Sequence, residues 1–348
     1  MRKFFIWIGK AVIAGAIAIG VLSVFCLFYY SHGIRKTSTT GATDYTWENK
    51  WWSLGYEGYA WGSIDDDGYN NPNILSKGEI DILLMGSSHM NANNVSSGYS
   101  TGYLLGSLMK ESELKYTVYN IGMEGHDFFI CSDNLDEALD TYAPNKYVIM
   151  ETRFSRLPID SMEEVLNGTR ERTPAFDSGL IYYLQKVPYF RLLHRQIRDI
   201  GLMNDTNLLV NSNTEIKEEI LKTDSIDELE DNLYEKILDK YMAKLSDEAN
   251  RKGVTLITFY MPDISIHADG SISTEGTKED LQLLSKSCNS HNIVFVDLSD
   301  VFLQHYEETY ELPFGFSNTA IGTGHLNRIG HKLVSDKLFE TILKIEDR

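Results

Sequence analysis

Five short strand-like runs, four of them mainly apolar, separated by helix-length segments restrict this chain more than any other feature. They are residues 80–85, 115–119, 146–151, 254–260 and 293–297. The first contains Ile-Leu-Leu-Met with no polar alternation, as a strand buried on both faces requires. Helical patterns lie between them at 99–110, 126–142, 228–250 and 277–289, and one more runs to about residue 345. In 228–250 the residues Leu229, Leu233, Ile237, Tyr241 and Leu245 recur along one face. Strands alternating with helical crossovers predict an α/β fold. The expected form is a three-layer α/β/α domain around a five-stranded, mainly parallel sheet in flavodoxin-like order. Residues 158–227 break the rhythm with Pro158, Pro174 and Pro188 and a polar Asn/Thr-rich stretch. They read as an insertion with its own short helices, packed over the sheet's carboxyl edge.

The amino terminus carries a different pattern. Residues 11–30 hold no charge, and about 20 such residues span a bilayer as a helix. Arg2, Lys3 and Lys10 precede the run and favour a cytoplasmic amino terminus, although Arg35 and Lys36 dilute that bias. A cleaved signal peptide has a shorter apolar region, about 7–15 residues, ending at small residues. Here the small residues lie mid-run, and Phe28, Tyr29 and Tyr30 close it. Residues 1–36 therefore read as a cytoplasmic stub and an uncleaved signal anchor in the cell membrane, with the remainder extracytoplasmic. Residues 37–77 read as a tether and an aromatic-rich lead-in. Its Trp47, Trp51, Trp52 and Trp61 are expected to cover the domain that follows, 78–348. A net charge of −18 excludes nucleic acid as a partner, because phosphate binding needs a basic surface. Cys26 falls in the apolar run, and Cys131 and Cys288 in separate helices. With no C-x-x-C pair they read as free thiols.

Chemistry concentrates at three loops. Gly86-Ser87-Ser88 follows the first strand, where small residues permit a sharp turn and expose a hydroxyl at the strand's carboxyl end. Asn120-Ile-Gly-Met-Glu-Gly125 follows the second. The third, Gly322-Thr-Gly-His-Leu-Asn-Arg-Ile-Gly330, precedes the last helix and brings His325, a residue suited to general-base work near neutrality.

In their order, these three pieces resemble the SGNH (GDSL-like) hydrolase superfamily, over roughly residues 80–345. His325-Leu-Asn-x-x-Gly330 is the most specific of them. The Gly-Ser-Ser-His form with one membrane span is most similar to extracytoplasmic members that work on cell-envelope polymers, among them the lipoteichoic acid D-alanylation and alginate acetylation families. The resemblance implies an O-acyl esterase or acyltransferase acting on envelope glycan or teichoic acid, with Ser88 as nucleophile and His325 as base. The N–H groups of Ser88 and Gly125 would form an oxyanion hole. It implies no cofactor, and a multi-span membrane O-acyltransferase as a partner. No metal is assigned, since His325 and His331 lack the i, i+4 spacing of helical ligand pairs.

Two departures stand out. The third strand ends Glu151-Thr152-Arg153, with no Asn donor, leaving Thr152 or Arg153 as substitutes. The position three before the His, where the superfamily has its acid, is Gly322. Asp263 and Asp300, each after a strand, are the candidate acids. His89, His126 and Asn327 are candidate substrate contacts. Without an acid the second reading is a non-catalytic glycan-binding or assembly protein with the same fold.

Overall fold

The computed structural model describes residues 2–31, 51–55, 57–65, 67–71, 78–170, 183–184, 187–199 and 224–347. Its centre is a five-stranded sheet of β4 (Ile82–Met85), β5 (Val118–Asn120), β6 (Tyr147–Thr152), β7 (Thr255–Tyr260) and β10 (Val294–Asp297). The order is β10-β7-β6-β4-β5 and every pairing is parallel. This is the expected flavodoxin-like arrangement. The chain leaves β4 for β5 on one side and later returns to β6 on the other. Ligands in open α/β sheets bind at the carboxyl end of such a switch.

Helices cover both faces, which explains the unbroken apolar strands. Leu83 and Met85 of β4 pack with α4 (Phe128–Asp133), α5 (Leu135–Tyr142), α6 (Ile159–Asn167), α8 (Asp224–Arg251) and α9 (Lys278–Ser290). Ile82 and Leu84 face the opposite layer, made of α3 (Thr101–Glu111), α10 (Ser299–Thr309) and α11 (Arg328–Glu346). All four strand residues are buried. The single helix expected at 126–142 is two, because the chain re-starts at Asn134, which both ends α4 and opens α5. The expected insertion places α6 in the helical layer against α4 and α8, not over the sheet's edge. Helix α7 (Pro188–Asp199) lies against α1 (Arg2–Tyr29). The polar stretch around 204–214 lies outside the described residues.

Helix α1 is apolar for long enough to cross a membrane, over Arg2–Phe28 with mean hydropathy 2.6. It runs directly into β1 (Tyr30–Ser31), which pairs antiparallel with β2 (Trp51–Leu54). That strand in turn forms a hairpin with β3 (Ala60–Ser63). Trp52, Leu54, Ala60 and Ile64 make a small core of their own beneath this ribbon. Trp52 is buried as a covering aromatic should be, but Trp61 is half exposed, and Trp47 lies outside the described residues. A second ribbon, β8 (Ile264–Ile266) with β9 (Ile272–Thr274), follows β7.

Candidate active site

The turn after β4 presents Ser88 as the first residue of a four-residue helix, α2 (Ser88–Asn91). Ser87 caps it, its Oγ accepting the His89 N–H at 3.2 Å. Ser87 is itself held from below. Its N–H donates to Glu151 Oε2 at 2.8 Å and its hydroxyl to Glu151 Oε1 at 2.9 Å. Glu151 is 2% exposed, and burial pushes its carboxyl pKa up against the opposing pull of the Ser87 hydrogen bonds. Residue 86 must be small, because a Cβ there would sit 2.5 Å from Glu151 Oε2.

His325 Nε2 lies 2.9 Å from Ser88 Oγ. On the other side of the ring, Nδ1 lies 2.7 Å from Glu57 Oε2. Glu57 Oε1 accepts the backbone N–H of His325 at 2.9 Å, so one carboxylate grips both the ring and the main chain. Serine, histidine and carboxylate are thus in line, in the arrangement by which a base is oriented and its positive charge supported. The carboxylate on Nδ1 is neither Asp263 nor Asp300. It comes from the turn of the β2–β3 hairpin, in the aromatic lead-in.

The hairpin is fastened where the acid leaves it. Gly58 N–H donates to Asn318 Oδ1 at 2.8 Å, and Asn318 Nδ2 donates to the carbonyls of Gly55 and Gly58 at 3.0 Å. Asn94 Nδ2 donates to Glu57 Oε2 at 3.1 Å. Two glycines before the His make room. Gly322 and Gly324 have φ of +86° and +84°, and a Cβ on Gly324 would lie 2.5 Å from Glu57 Oε1. The residue three before His325 is therefore a turn former, and the acid approaches past it.

Asp263 pairs with the Arg153 guanidinium, and Asp300 lines a separate cavity with Phe295 and Asp297 in the first turn of α10. Arg153 also places Nη1 3.1 Å from His89 Nε2. His89 is buried, and burial together with the neighbouring Arg153 charge holds its pKa well below the usual histidine range. Its Nδ1 accepts the Leu326 N–H at 3.2 Å, which ties α2 to the loop carrying His325.

Gly125, His126 and Arg153 line a cavity of about 250 Å³ with Ser88, His89 and Glu151. Thr152 is turned inward, its Oγ1 accepting the Phe154 N–H, and is absent from that lining. Asn327 caps α11 instead of facing the cavity. Its Oδ1 accepts from Ile329 and Gly330, and its amide donates to Leu312 O and Gly315 O. Among the described residues, no group of three His, Cys, Asp or Glu could hold a metal ion.

Glu57 carried one sequence signal: a glutamate between Gly55 and Gly58, at the turn between two aromatic runs. No protein-family model and no curated protein matches the chain. Among solved structures, it is similar to the psychrotrophic esterase EstA from a Pseudoalteromonas species at 12% identity and TM-score 0.38, over 77% of this chain and 98% of that one. The acetyl xylan esterase AlAXEase is similar at 12% identity and TM-score 0.40, over 76% and 100%. A protein of Slackia heliotrinireducens, proposed to be an SGNH hydrolase, is similar at 13% identity and TM-score 0.36, over 76% and 98%.

Proposed function

We propose that the protein is a membrane-anchored serine esterase or O-acyltransferase of the SGNH type, acting on acyl esters of cell-envelope polysaccharide or teichoic acid. The observation that carries this reading is the line Ser88 Oγ, His325 Nε2, His325 Nδ1, Glu57 Oε2, with spacings of 2.9 Å and 2.7 Å at its two hydrogen bonds. The non-catalytic alternative rested on the missing acid at Gly322, and Glu57 supplies one.

In this mechanism His325 Nε2 takes the Ser88 hydroxyl proton as Oγ attacks the ester carbonyl. Glu57 keeps Nδ1 protonated and balances the imidazolium that forms. The backbone N–H groups of Ser88 and Gly125 stabilise the oxyanion, each donor of this kind contributing about 10²–10³ in rate. His325 then protonates the departing alkoxide, leaving acyl-Ser88. Water or an acceptor hydroxyl, deprotonated by the same ring, releases the acyl group. Arg153 and His126 stand beside this path as substrate contacts. The signal anchor would keep the domain outside the cytoplasm, next to a multi-span O-acyltransferase that exchanges acyl groups with it.

A serine-reactive phosphonate is expected to label Ser88. Ser88→Ala and His325→Ala should each abolish turnover of an aryl acetate, to similar extents, because such residues act as a unit. Absence of labelling, or unchanged turnover in Ser88→Ala, overturns the reading.

A further inference from the structure

The hairpin that delivers Glu57 is fastened to the end of α1. Ser53 Oγ–H donates to the Leu27 carbonyl at 2.9 Å, and Tyr59 OH donates to the Phe28 carbonyl at 3.4 Å. Strand β1 continues from the helix without a break, and pairs Tyr30 with Leu54 and Ser31 with Ser53. The last carbonyls of a helix have no partner within it. Here two of them are taken by side chains of the hairpin.

The depth of this junction follows from helix geometry. The last charge before the junction is Lys10, and residues 11–29 rise about 28 Å. That nearly matches the hydrocarbon thickness of about 30 Å. With Lys10 at one interface, Leu27 and Phe28 arrive at the other, and Ser53 and Tyr59 arrive with them. The exposed side chains there suit this depth. Phe28 is 62% exposed, Tyr59 60% and Trp61 52%. The Tyr59 and Trp61 rings meet edge to face at 5.9 Å. With Ser53 and Phe28 they line a cavity of about 310 Å³. Tyr and Trp collect at membrane–water interfaces because one end of each ring is apolar and the other wet.

Glu57 precedes Tyr59 by two residues, no more than about 7 Å along the chain. His325 and Ser88 follow it in direct hydrogen-bond contact. The loop leading to His325 is pinned to the same hairpin through Asn318 and carries Ile321, 65% exposed. We propose that the Ser88–His325–Glu57 site works at the bilayer surface, and that its ester is carried by a membrane-resident amphiphile. The proposal rests on reading α1 as a membrane span and Ser88 as the nucleophile. It narrows the substrate from envelope esters in general to those presented within reach of the lipid headgroups.

The test uses the full chain in phosphatidylcholine vesicles containing a lipid with a spin-labelled headgroup. Cys26, Cys131 and Cys288 are buried, so a fluorophore can be directed to a cysteine introduced at an exposed position. Ala320→Cys lies in the loop pinned to the hairpin, and Glu113→Cys lies at the opposite, amino edge of the sheet. The label at 320 should be quenched strongly and the label at 113 little. Equal quenching at the two positions in protein that resists alkaline extraction overturns the proposal. Protein removed by alkaline extraction overturns the anchor reading instead.

The ester class is tested with a diacylglyceryl acetate placed either in the protein's own vesicles or in separate ones, with Ser88→Ala as background. Shared residence raises effective concentration, so same-vesicle turnover should be at least about tenfold faster. Equal rates, or no turnover of this ester by protein that cleaves aryl acetate, overturn the substrate class. Failure to cleave aryl acetate at all speaks against the nucleophile itself.

Discussion

Glu57 and Gly322 share out a task that one residue usually performs. A carboxylate three residues before a catalytic His reaches its ring along a short loop. In this chain that loop turns through Gly322 at φ +86°, and a Cβ there would come within 2.6 Å of Ile266 Cδ1. The acid arrives from the other side and also holds the His325 backbone N–H. Glu57→Gln should therefore lower aryl acetate turnover by up to about 10⁴, the scale seen when a triad acid becomes an amide. Phosphonate labelling of Ser88 should slow with it, while circular dichroism and melting change little. Asp300→Asn should leave turnover unaltered, since Asp300 lines a different cavity. Restoring the usual pattern with Gly322→Asp on the Glu57→Gln background should fail. A non-glycine residue in left-handed backbone costs about 1–2 kcal/mol, so a lower melting temperature without recovered turnover is the expected result.

At the scale of elements, legibility followed burial. The apolar stretches of β4, β6 and β7 announced themselves because helices cover both faces of the sheet, and a strand of that kind has no polar side to confuse the pattern. The Gly-Ser-Ser turn and the His-Leu-Asn loop were readable because each is local: Ser87 caps its own helix, and Asn327 caps the helix that follows His325. The Asn134 break was hidden inside an otherwise periodic segment. Glu57 was hidden for a different reason. Its partners Asn94 and His325 are 37 and 268 positions away, and no short spacing encodes such a meeting. His331 illustrates another contact of this kind. It is 1% exposed on α11, with Nδ1 2.9 Å from Thr101 Oγ1 at the start of α3. Burial lowers its pKa from 6.5 to about 3. The unfolded chain thus binds a proton that the folded ring refuses. Its contribution to stability is full above about pH 6.5 and is lost as pH falls towards 3. Between pH 7 and pH 5 the loss should be roughly 2 kcal/mol. Urea unfolding at the two pH values should show it, and His331→Asn, whatever its absolute stability, should show a difference smaller by about that amount.

For the molecule as a whole, the order of the three residues along the chain decides what an active fragment must contain. All five strands of the main sheet, Ser88 and His325 lie after residue 78, and the fold could be cut there without losing a strand of that sheet. Glu57 lies before it, on a ribbon with its own small core and its own fastenings to Asn94 and Asn318. A fragment of residues 50–348 keeps the hairpin and those fastenings while giving up α1 and β1. It should turn over a soluble aryl acetate within about tenfold of the full chain, because proton transfer needs the local geometry of the site and not α1. A fragment of residues 78–348 should fall by about 10³–10⁴, the loss expected when the acid of a working triad is removed. The shorter fragment also loses Tyr69, which packs against Tyr119 and Tyr142, so its melting temperature should drop as well. Glu57→Gln placed in the 50–348 fragment separates the two effects, since it removes the acid and leaves Tyr69 in place. If that variant matches the 78–348 fragment in turnover while melting with its parent, the loss belongs to the acid. If it turns over like its parent, Glu57 is a structural fastening, and the base at Ser88 works without it.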